Sequence, residues 1–311
     1  MTITQLEYII ALDTYRHFAT AADKSFVTQP TLSMQIQKLE DEMGSKLFDR
    51  SKQPVIPTEI GEEVIHQARM IVHEVKMMYQ LIQDKQGVFR GELRIGIIPT
   101  LAPYLLPLFL QPFLLKYPDI KIRVKEMTTD IIVEKLKAGK IDAGLLVTPL
   151  QDNSIKEYPL FYEELIAYVS KNNAAYKKTY VLANDIDLKE LWLLEEGHCF
   201  RSQIVNLCEL KKMSKHQSHF EYEAGSVETL RKMVELNNGV TILPEMATLD
   251  FTVKQLNMVR HFKSPVPVRE VSVVTHRDYV KKKLVDVLKA EILASIPPKI
   301  MLNKNKNIVK I

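Results

Sequence analysis

The spacing of apolar residues changes near Gly87 and Gly91, and this change constrains the fold more than any other feature of the sequence. Before these glycines, apolar residues recur every three or four positions, which is the period of an amphipathic helix. After them, short apolar runs alternate with helical stretches, which is typical of α/β domains with mainly parallel sheets. The sequence therefore predicts an all-α N-terminal part and a larger α/β C-terminal part.

The first sixty residues predict short helices followed by a hairpin. The third helix carries its apolar residues at steps of four, three and four, at Leu32, Ile36, Leu39 and Met43. Thr28 suits the N-cap of this helix, Pro30 its first turn and Gly44 its end. Residues 54–57 begin and end with proline and indicate a short hairpin or wing. Two helices joined by a tight turn, followed by a wing, are typical of a winged helix-turn-helix.

From residue 60 to about residue 86, the pattern predicts one long helix. Its apolar residues alternate at four and three positions, at Val64, Ala68, Ile71, Val75, Met78 and Ile82. This is the heptad spacing of a coiled-coil seam, and a stripe of that length needs a partner. We expect the partner to be a second copy of the chain. The alternative is that the helix packs on its own C-terminal domain.

The C-terminal part predicts a series of strand and helix units. They are residues 93–98, 101–117, 120–127, 131–138, 142–147, 165–169, 191–194, 219–223, 226–237, 240–243, 271–275 and about 279–294. About 210 residues suffice for two small α/β subdomains with a cleft between them.

The expected domain organisation has three parts. They are a winged helix-turn-helix domain at residues 1–59, a linker and dimerisation helix with a hinge at 60–90, and a regulatory domain at 91–311. The two regulatory subdomains are expected at about 91–162 with 268–300, and at 163–267.

Charge and composition set limits on partners and location. The net charge of +4 gives weak support to a polyanionic partner, and residues 1–90 hold ten Lys and Arg against twelve Asp and Glu. Contact with nucleic acid must therefore come from a local face rather than from bulk charge. We expect no signal peptide, because the first residues show no basic stretch followed by an apolar one. We expect no membrane span, because prolines interrupt the apolar run at residues 101–115. The protein should then be cytosolic, where a disulfide between its two cysteines would be regulatory or catalytic.

The third helix and the wing carry the residues that fit DNA. On or near the exposed face of the helix we expect Gln29, Pro30, Thr31, Ser33, Gln35 and Lys38, and in the wing Arg50 and Lys52. Glutamine can pair bidentately with adenine, and Ser and Thr reach base edges or phosphates. The two wing cations suit phosphate contacts. The residue pattern by itself also fits a three-helix interaction domain with a solvated polar face.

Both cysteines lie in one segment, residues 195–208. His198 and Arg201 flank Cys199, and a helix that starts after Gly197 would add backbone amides, so we expect the Cys199 thiol to ionise near neutral pH. Cys208 follows nine residues later. Nine helical residues rise about 13.5 Å, whereas a disulfide needs Cα atoms about 4.4–6.8 Å apart. A bond between these two thiols therefore requires the segment between them to unwind.

The residues alone leave several roles open for this segment. A buried cysteine is most often a small apolar core residue. A metal site would combine the two cysteines with His198, His216 and His219, but a spacing of Cys-x8-Cys fits zinc poorly, and we expect no metal. The third role is a redox-active pair.

The N-terminal pattern resembles that of LysR-type transcriptional regulators. The matching residues are Phe18-Ala-Thr-Ala-Ala22, Thr28-Gln-Pro-Thr-Leu-Ser33, Gln35-Ile36, Leu39-Glu40, Gly44, Leu47-Phe48, Arg50 and Thr58. The resemblance implies a winged helix-turn-helix, a long linker helix and a two-lobed effector domain like that of periplasmic binding proteins. It also implies a homodimer that pairs into a homotetramer on double-stranded promoter DNA, with RNA polymerase as a partner.

The C-terminal part resembles the peroxide-sensing members of that family. The matching residues are Ile97-Ile-Pro-Thr100, Gly139-Lys-Ile-Asp142, Gly197-His-Cys-Phe-Arg201, Cys208, Ser226-Val-Glu-Thr-Leu-Arg-Lys-Met233 and Gly239-Val-Thr-Ile-Leu-Pro244. By this resemblance, hydrogen peroxide oxidises Cys199 to a sulfenic acid, Cys208 resolves it as a disulfide, and a cellular thiol reductant resets the pair. The residues expected to support the peroxide site are Thr100, Thr129, His198, Arg201 and Arg269. No cofactor and no enzymatic role are implied.

Two other functions compete with peroxide sensing. A regulator of the same family can respond to a small organic effector in the cleft between the lobes. A thiol peroxidase would use Cys199 for steady turnover with a reductant, although a DNA-binding module argues against that use.

Overall fold

The computed structural model describes residues 1–84, 90–186, 190–195, 199–208, 224–277, 279, 282–301 and 307–309. The chain divides into two compact units, Met1–Val88 and Phe89–Ile311. Across the described ranges, we find no helix with both the length and the apolar character needed to cross a bilayer.

The N-terminal unit is helical with a small hairpin. Its elements are α1 (Ile3–Tyr15), α2 (Phe18–Lys24), α3 (Gln29–Met43), β1 (Phe48–Asp49), β2 (Ile56–Pro57) and α4 (Glu59–Asp84). The predicted signals at the ends of α3 are confirmed: Thr28 caps it, Pro30 lies in its first turn, and Gly44 ends it in the left-handed region at φ +66°. The buried face of α3 consists of Leu32, Ile36, Leu39 and Glu40.

A buried carboxylate connects α3 to the wing. Glu40 Oε1 accepts the backbone N–H groups of Leu47 and Phe48 at 2.9 and 3.3 Å, just where β1 begins. Its other oxygen receives Arg50 Nη2 at 2.9 Å. Because the Glu40 side chain is fully buried while the Arg50 side chain is 36% exposed, the contact fixes the wing without burying a second charge.

The long helix α4 packs against α1 within the N-terminal unit. Ile65, Ala68 and Val72 are buried in the core that α1 shares, and Arg69 Nη2 lies 2.6 Å from Asp13 Oδ2. The heptad residues predicted from the sequence are divided between two faces.

Ala68 lies on the buried face of α4, and Val64 and Val75 are half-buried. Ile71 and Met78 are 40% and 68% exposed, and the Ile82 side chain lies outside the described part. One face of α4 therefore packs on α1, and another leaves apolar side chains exposed.

The C-terminal unit is built on one nine-stranded sheet with the strand order β4-β3-β5-β10-β6-β9-β7, with β8 also on β6 and β11 also on β10. The strands are β3 (Gly91–Ile97), β4 (Ile120–Glu126), β5 (Ala143–Thr148), β6 (Ile155–Val169), β7 (Tyr180–Val181), β8 (Val240–Pro244), β9 (Val259–Phe262), β10 (Pro267–His276) and β11 (Asn307–Ile308). The helices are α5 (Ala102–Lys116), α6 (Thr129–Lys137), α7 (Cys199–Leu207), α8 (Val227–Leu236), α9 (Val253–Leu256), α10 (Lys282–Ser295) and α11 (Pro298–Met301).

Two hydrophobic cores divide this unit into lobes. The first lobe surrounds β3, β5, α5, α6 and α10, and the second surrounds β8, α7 and α8. Strand β6 contributes to both, with Phe161 in the first core and Leu165 in the second. The predicted two-lobed α/β architecture is confirmed by this arrangement, while the finer domain boundaries stay predictions.

The expectation of mainly parallel sheets is wrong. Strand β10 runs antiparallel to β5 and β6, and β6 runs antiparallel to β8 and β9. Parallel pairing is found for β3 with β4 and β5, β7 with β9, and β10 with β11. The physical reason is that the chain leaves the first lobe along β6 and returns along β10, so these neighbours must run in opposite directions.

Two predicted units need separate comment. Residues 191–194 are not a regular strand: Leu191 and Leu194 make isolated bridges to Val240 and Ala224. The unit predicted at residues 219–223 lies outside the described residues.

The Glu40 contact leads to a stability prediction. Replacing Glu40 with Ala leaves the buried N–H groups of Leu47 and Phe48 without their acceptor, and we expect it to lower the free energy of unfolding of the N-terminal unit by about 3 kcal/mol. Hydrogen exchange of peptides from residues 1–84 in the full chain measures this. The control is Glu42→Ala, because Glu42 is half-exposed and its surface ion pair contributes about 0–1 kcal/mol. Equal losses in the two variants would contradict the role of Glu40.

Candidate functional site

A cluster of buried polar residues, which we call the polar pocket, lies where the two lobes of the C-terminal unit meet. It is assembled from Thr100 between β3 and α5, Thr129 at the start of α6, Cys199 at the start of α7 and Arg269 on β10. All four residues are buried. The structure thus brings together four residues that stand far apart in the sequence.

A buried ion pair forms the base of this pocket. Arg269 and Glu163 stand directly opposite each other on the antiparallel strands β10 and β6, and both side chains are fully buried. Arg269 Nε and Nη2 lie 2.8 and 2.7 Å from Glu163 Oε2. The other oxygen, Oε1, accepts the backbone N–H of Met246 at 2.7 Å. Burial raises the pKa of Glu163, and the positive charge of Arg269 opposes that change.

The guanidinium of Arg269 also contacts both lobes. Its Nη1 donates to Thr100 Oγ1 at 3.0 Å and its Nη2 donates to the Thr100 carbonyl at 3.1 Å. On the other side, its central carbon lies 5.2 Å from the centre of the Phe200 ring, which is within the range of a cation–π contact. Phe200 is the second residue of α7, so Arg269 connects the start of that helix to the first lobe.

The Cys199 thiol has opposing influences around it. Burial raises its pKa, and this is the largest effect. The Thr129 hydroxyl, the Arg269 charge and the backbone N–H of Phe200 lower the pKa, while the carboxylate of Asp130 raises it. The expectation that Cys199 ionises near neutral pH is therefore wrong for the surroundings that the structure describes, because the loss of hydration outweighs the nearby positive charge.

Thr129 presents an unused hydroxyl to this thiol. Its side chain is 8% exposed, and Thr129 Oγ1 has no hydrogen-bond partner of proper geometry among the described residues. Its influence on the pKa of Cys199 is thus that of a nearby dipole rather than of a formed hydrogen bond. A buried hydroxyl without a partner is costly, so it offers a free donor and acceptor to a small polar molecule beside the sulfur.

The two residues expected to flank Cys199 have different outcomes. The guanidinium of Arg201 binds the backbone, because its Nη1 donates to the carbonyl of Leu194 at 2.7 Å. His198 lies outside the described residues. Among the described residues, Arg269 is the cation that lowers the pKa of the thiol, although Arg201 stands only two positions away in the sequence.

The two cysteines lie at opposite ends of one helix. Cys199 is the first residue of α7 (Cys199–Leu207), and the N–H of Cys208 donates to the Ile204 carbonyl at 3.0 Å in the helical pattern. Both thiols are free, and an α-helical rise of about 1.5 Å per residue keeps them roughly 13 Å apart. Cys208 is half-buried in apolar surroundings, which raise its pKa to about 11.

Sequence reasoning missed Glu163, the residue that holds Arg269 in place. A signal for it exists, because Phe161, Glu163 and Leu165 alternate along β6 and all three are buried. A carboxylate on the buried face of a strand needs a cation nearby. Arg269 is such a cation, and it lies within the buried strand β10.

The predicted DNA-contacting residues lie on α3 and around the wing. Gln29, Pro30 and Lys38 are exposed, and Thr31, Ser33 and Gln35 are half-buried. Two of these side chains already have partners within the unit. Thr31 Oγ1 lies 2.8 Å from Thr28 Oγ1, and Gln35 Oε1 accepts Gln5 Nε2 at 3.3 Å.

Of the two wing cations, Arg50 already has partners within the N-terminal unit. Lys52 is exposed. Arg50 binds Glu40 and stacks over the Phe18 ring at 5.4 Å from its centre. Arg50 therefore has a structural role beside any contact with phosphate.

Metal ligands do not cluster in the described ranges: no group of three or more His, Cys, Asp or Glu is arranged to hold a metal ion there. His216 and His219, which would complete a site with the cysteines, lie outside those ranges.

Comparison with protein families gives two matches that together span most of the chain. Residues 3–62 match the bacterial regulatory helix-turn-helix protein of the lysR family, and residues 86–296 match the LysR substrate binding domain.

Curated relatives and solved structures agree with these matches. The hydrogen peroxide-inducible genes activator of Haemophilus influenzae is 36% identical over 88% of this chain and 90% of its own length. The DNA-binding transcriptional dual regulator OxyR of Escherichia coli is 36% identical over 79% of this chain and 80% of its own. A full-length OxyR variant from Pseudomonas aeruginosa superposes with a TM-score of 0.80 at 32% identity, covering 95% of this chain and 99% of that one.

The unused hydroxyl of Thr129 gives a prediction about thiol reactivity. Thr129→Val keeps the shape of the side chain but removes the dipole that lowers the pKa of Cys199. We expect the pH profile of Cys199 alkylation, measured in a Cys208→Ser background, to move to higher pH. At a fixed pH below the pKa, the alkylation rate follows the thiolate fraction, which falls about tenfold when the pKa rises by one.

The matched control is Thr128→Val. Thr128 is the N-cap of α6, and its side chain makes no capping hydrogen bond, so the alkylation profile should stay where it is. If Thr129→Val leaves the profile in place as well, the hydroxyl does not act on the thiol.

Proposed function

The chain belongs to the LysR family of bacterial transcriptional regulators, and on that basis we propose that it is a hydrogen-peroxide-responsive activator that senses the oxidant through Cys199 and Cys208. One observation carries the proposal. The buried Cys199 thiol lies beside the Arg269 cation and an unpaired Thr129 hydroxyl, while Cys208 ends the same helix.

The pocket supports the first chemical step in three ways. A peroxide molecule hydrogen-bonded to Thr129 Oγ1 lies against the sulfur of Cys199. The sulfur, as thiolate, attacks one peroxide oxygen; the O–O bond breaks, and the second oxygen leaves as hydroxide and takes a proton to become water. Arg269 and the N–H of Phe200 favour the thiolate, and burial restricts the reaction to small neutral oxidants.

The second step requires α7 to change. Cys208 attacks the sulfenic sulfur of Cys199, the S–S bond forms, and the hydroxyl group leaves as water. A disulfide needs Cα atoms about 4.4–6.8 Å apart, so the helix between the two residues has to unwind. The refolded segment is the switch by which one oxidised sulfur alters the regulatory domain. A cellular thiol reductant reverses it.

The N-terminal unit supplies the contact with promoter DNA. The exposed N-terminal end of α3, with Gln29 and Ser33, enters the major groove, and Lys52 and Arg50 stand near the phosphates.

A groove beside α4 is the proposed contact with a second copy of the chain. Its volume is about 650 Å³, and it would take the linker helix of that copy; its lining includes Met1, Met43, Ile60, Val64 and Ile71. We propose that such dimers pair into a tetramer on DNA and that the oxidised form activates transcription through RNA polymerase.

The decisive experiment is mass spectrometry of the peptides that contain Cys199 and Cys208, before and after brief low-dose peroxide. The wild-type chain should pass from two free thiols to one intrachain disulfide. Cys199→Ser should form none, and Cys208→Ser should accumulate sulfenic acid at Cys199.

A reporter gene driven by a bound promoter completes this test. Cys199→Ser should keep its DNA affinity while losing at least ten-fold of the peroxide response. Normal activation by the Cys199→Ser variant would rule out the mechanism.

A separate prediction concerns base readout by α3. Gln29→Ala should weaken binding to selected genomic fragments by about 10- to 100-fold, because one bidentate base contact contributes about 1–3 kcal/mol. Binding selection from fragmented genomic DNA provides the sites and their base preferences. Gln111→Ala, an exposed glutamine on α5, is the control. Unchanged base preference in Gln29→Ala would remove this residue from the readout.

A further inference from the structure

Residues 307–309, near the C-terminus, pair with the sheet next to Arg269 of the polar pocket. In β11, Asn307 and Ile308 pair in parallel with Pro267 and Val268 of β10, and the N–H of Val309 donates to the Val268 carbonyl at 2.9 Å. These are the two residues that precede Arg269.

Strand β11 pairs with the first residues of β10, on the edge that β5 leaves unpaired there. Strand β6 occupies one edge of β10 from Val268 onward, so β11 lies along the other edge. Strand β5 covers that edge only from Glu270 to Val274. The end of the chain thus completes the pairing of β10 where it enters the pocket.

The same segment holds the middle of α7. Gln203 is fully buried, stands between the two cysteines, and donates from Nε2 to the Val309 carbonyl at 2.9 Å. Val309 is buried in the second-lobe core together with Phe200 and Ile204 of α7. Gln203 Oε1 has no partner among the described residues, so the amide of this side chain is held there through its bond to Val309.

We propose that residues 307–309 form a strap that is docked on α7 while the cysteines are reduced and is released when the Cys199–Cys208 disulfide forms. The inference rests on the proposed disulfide. Gln203 is helical in the reduced chain, and the disulfide requires the segment that contains it to unwind. The bond to Val309 and the burial of Val309 in the core that also holds Phe200 and Ile204 are then lost together.

The strap also affects the equilibrium between the dithiol and the disulfide forms. It stabilises only the reduced form, so its removal favours the disulfide. One buried hydrogen bond together with one buried valine, offset in part by the conformational entropy lost when the strap is ordered, corresponds to about a tenfold change in the thiol–disulfide equilibrium. For a two-electron couple, tenfold is about 30 mV, and the midpoint potential of a strapless chain should be more negative by that amount.

Hydrogen exchange tests the release directly. In the full chain, the C-terminal peptide that contains residues 307–309 should be protected in the dithiol form and should lose that protection when diamide converts the two thiols to a disulfide, diamide itself being reduced to the hydrazine. Cys208→Ser treated in the same way cannot form the disulfide and should keep its protection. Equal protection in the dithiol and disulfide forms of the wild type would overturn the strap.

Redox titration against glutathione tests the energetic role. Truncation after Met301 should move the potential about 30 mV more negative. Gln203→Met, which keeps the length of the side chain and removes only the bond to Val309, should move it in the same direction by a smaller amount. Ser202→Met, at an exposed position on the same helix, is the control and should not move it. If the two test variants titrate as the wild type does, the strap has no part in the switch.

Because diamide makes the disulfide without peroxide, this outcome is independent of the sensing chemistry. A chain that forms no disulfide with peroxide but loses its C-terminal protection with diamide would disprove the proposed sensing and keep the strap.

Discussion

The buried pair of Arg269 and Glu163 is the interaction on which the rest of the C-terminal unit depends. It lies across the two strands, β10 and β6, that carry the chain between the lobes, and Arg269 also binds Thr100 in the first lobe. Removing one partner of such a pair costs about 3–5 kcal/mol, since the other charge is left buried. The pair therefore fixes both the path of the crossover strands and the position of a cation beside Cys199.

Burial also decides the balance of influences on the pKa of the Cys199 thiol. Loss of hydration raises the pKa of Cys199, while Thr129, Arg269 and the N–H of Phe200 lower it. A neutral thiol in a closed pocket reacts slowly with bulky or charged oxidants. Under the proposed sensing function, a small polar molecule that satisfies the Thr129 hydroxyl would lie beside the sulfur.

The sequence was sufficient for features that depend on local pattern. The cap, first-turn proline and terminal glycine of α3 follow from three residues, and the helix at 102–116 was found in spite of Pro107 and Pro112. Features that depend on strand register were not accessible. Nothing near Glu163 specifies that Arg269 stands opposite it, and nothing near residues 307–309 specifies pairing with β10. The pKa direction of Cys199 was missed because it depends on burial, which flanking charges do not reveal.

Helix α7 places both cysteines and the contact with the C-terminal strand in one element. Its first residue is the buried thiol of Cys199, and the Phe200 ring packs against the Arg269 cation that lowers the pKa of that thiol. Gln203 and Ile204 join it to the end of the chain and to the second core, and Cys208 follows its last turn. A helix shorter by two turns would bring the cysteines close without any refolding, whereas a helix without the contacts of Gln203 would unwind with little effect on its neighbours. The length of α7 keeps the two thiols apart, and the contact of Gln203 with Val309 links the helix to the strand that pairs with β10.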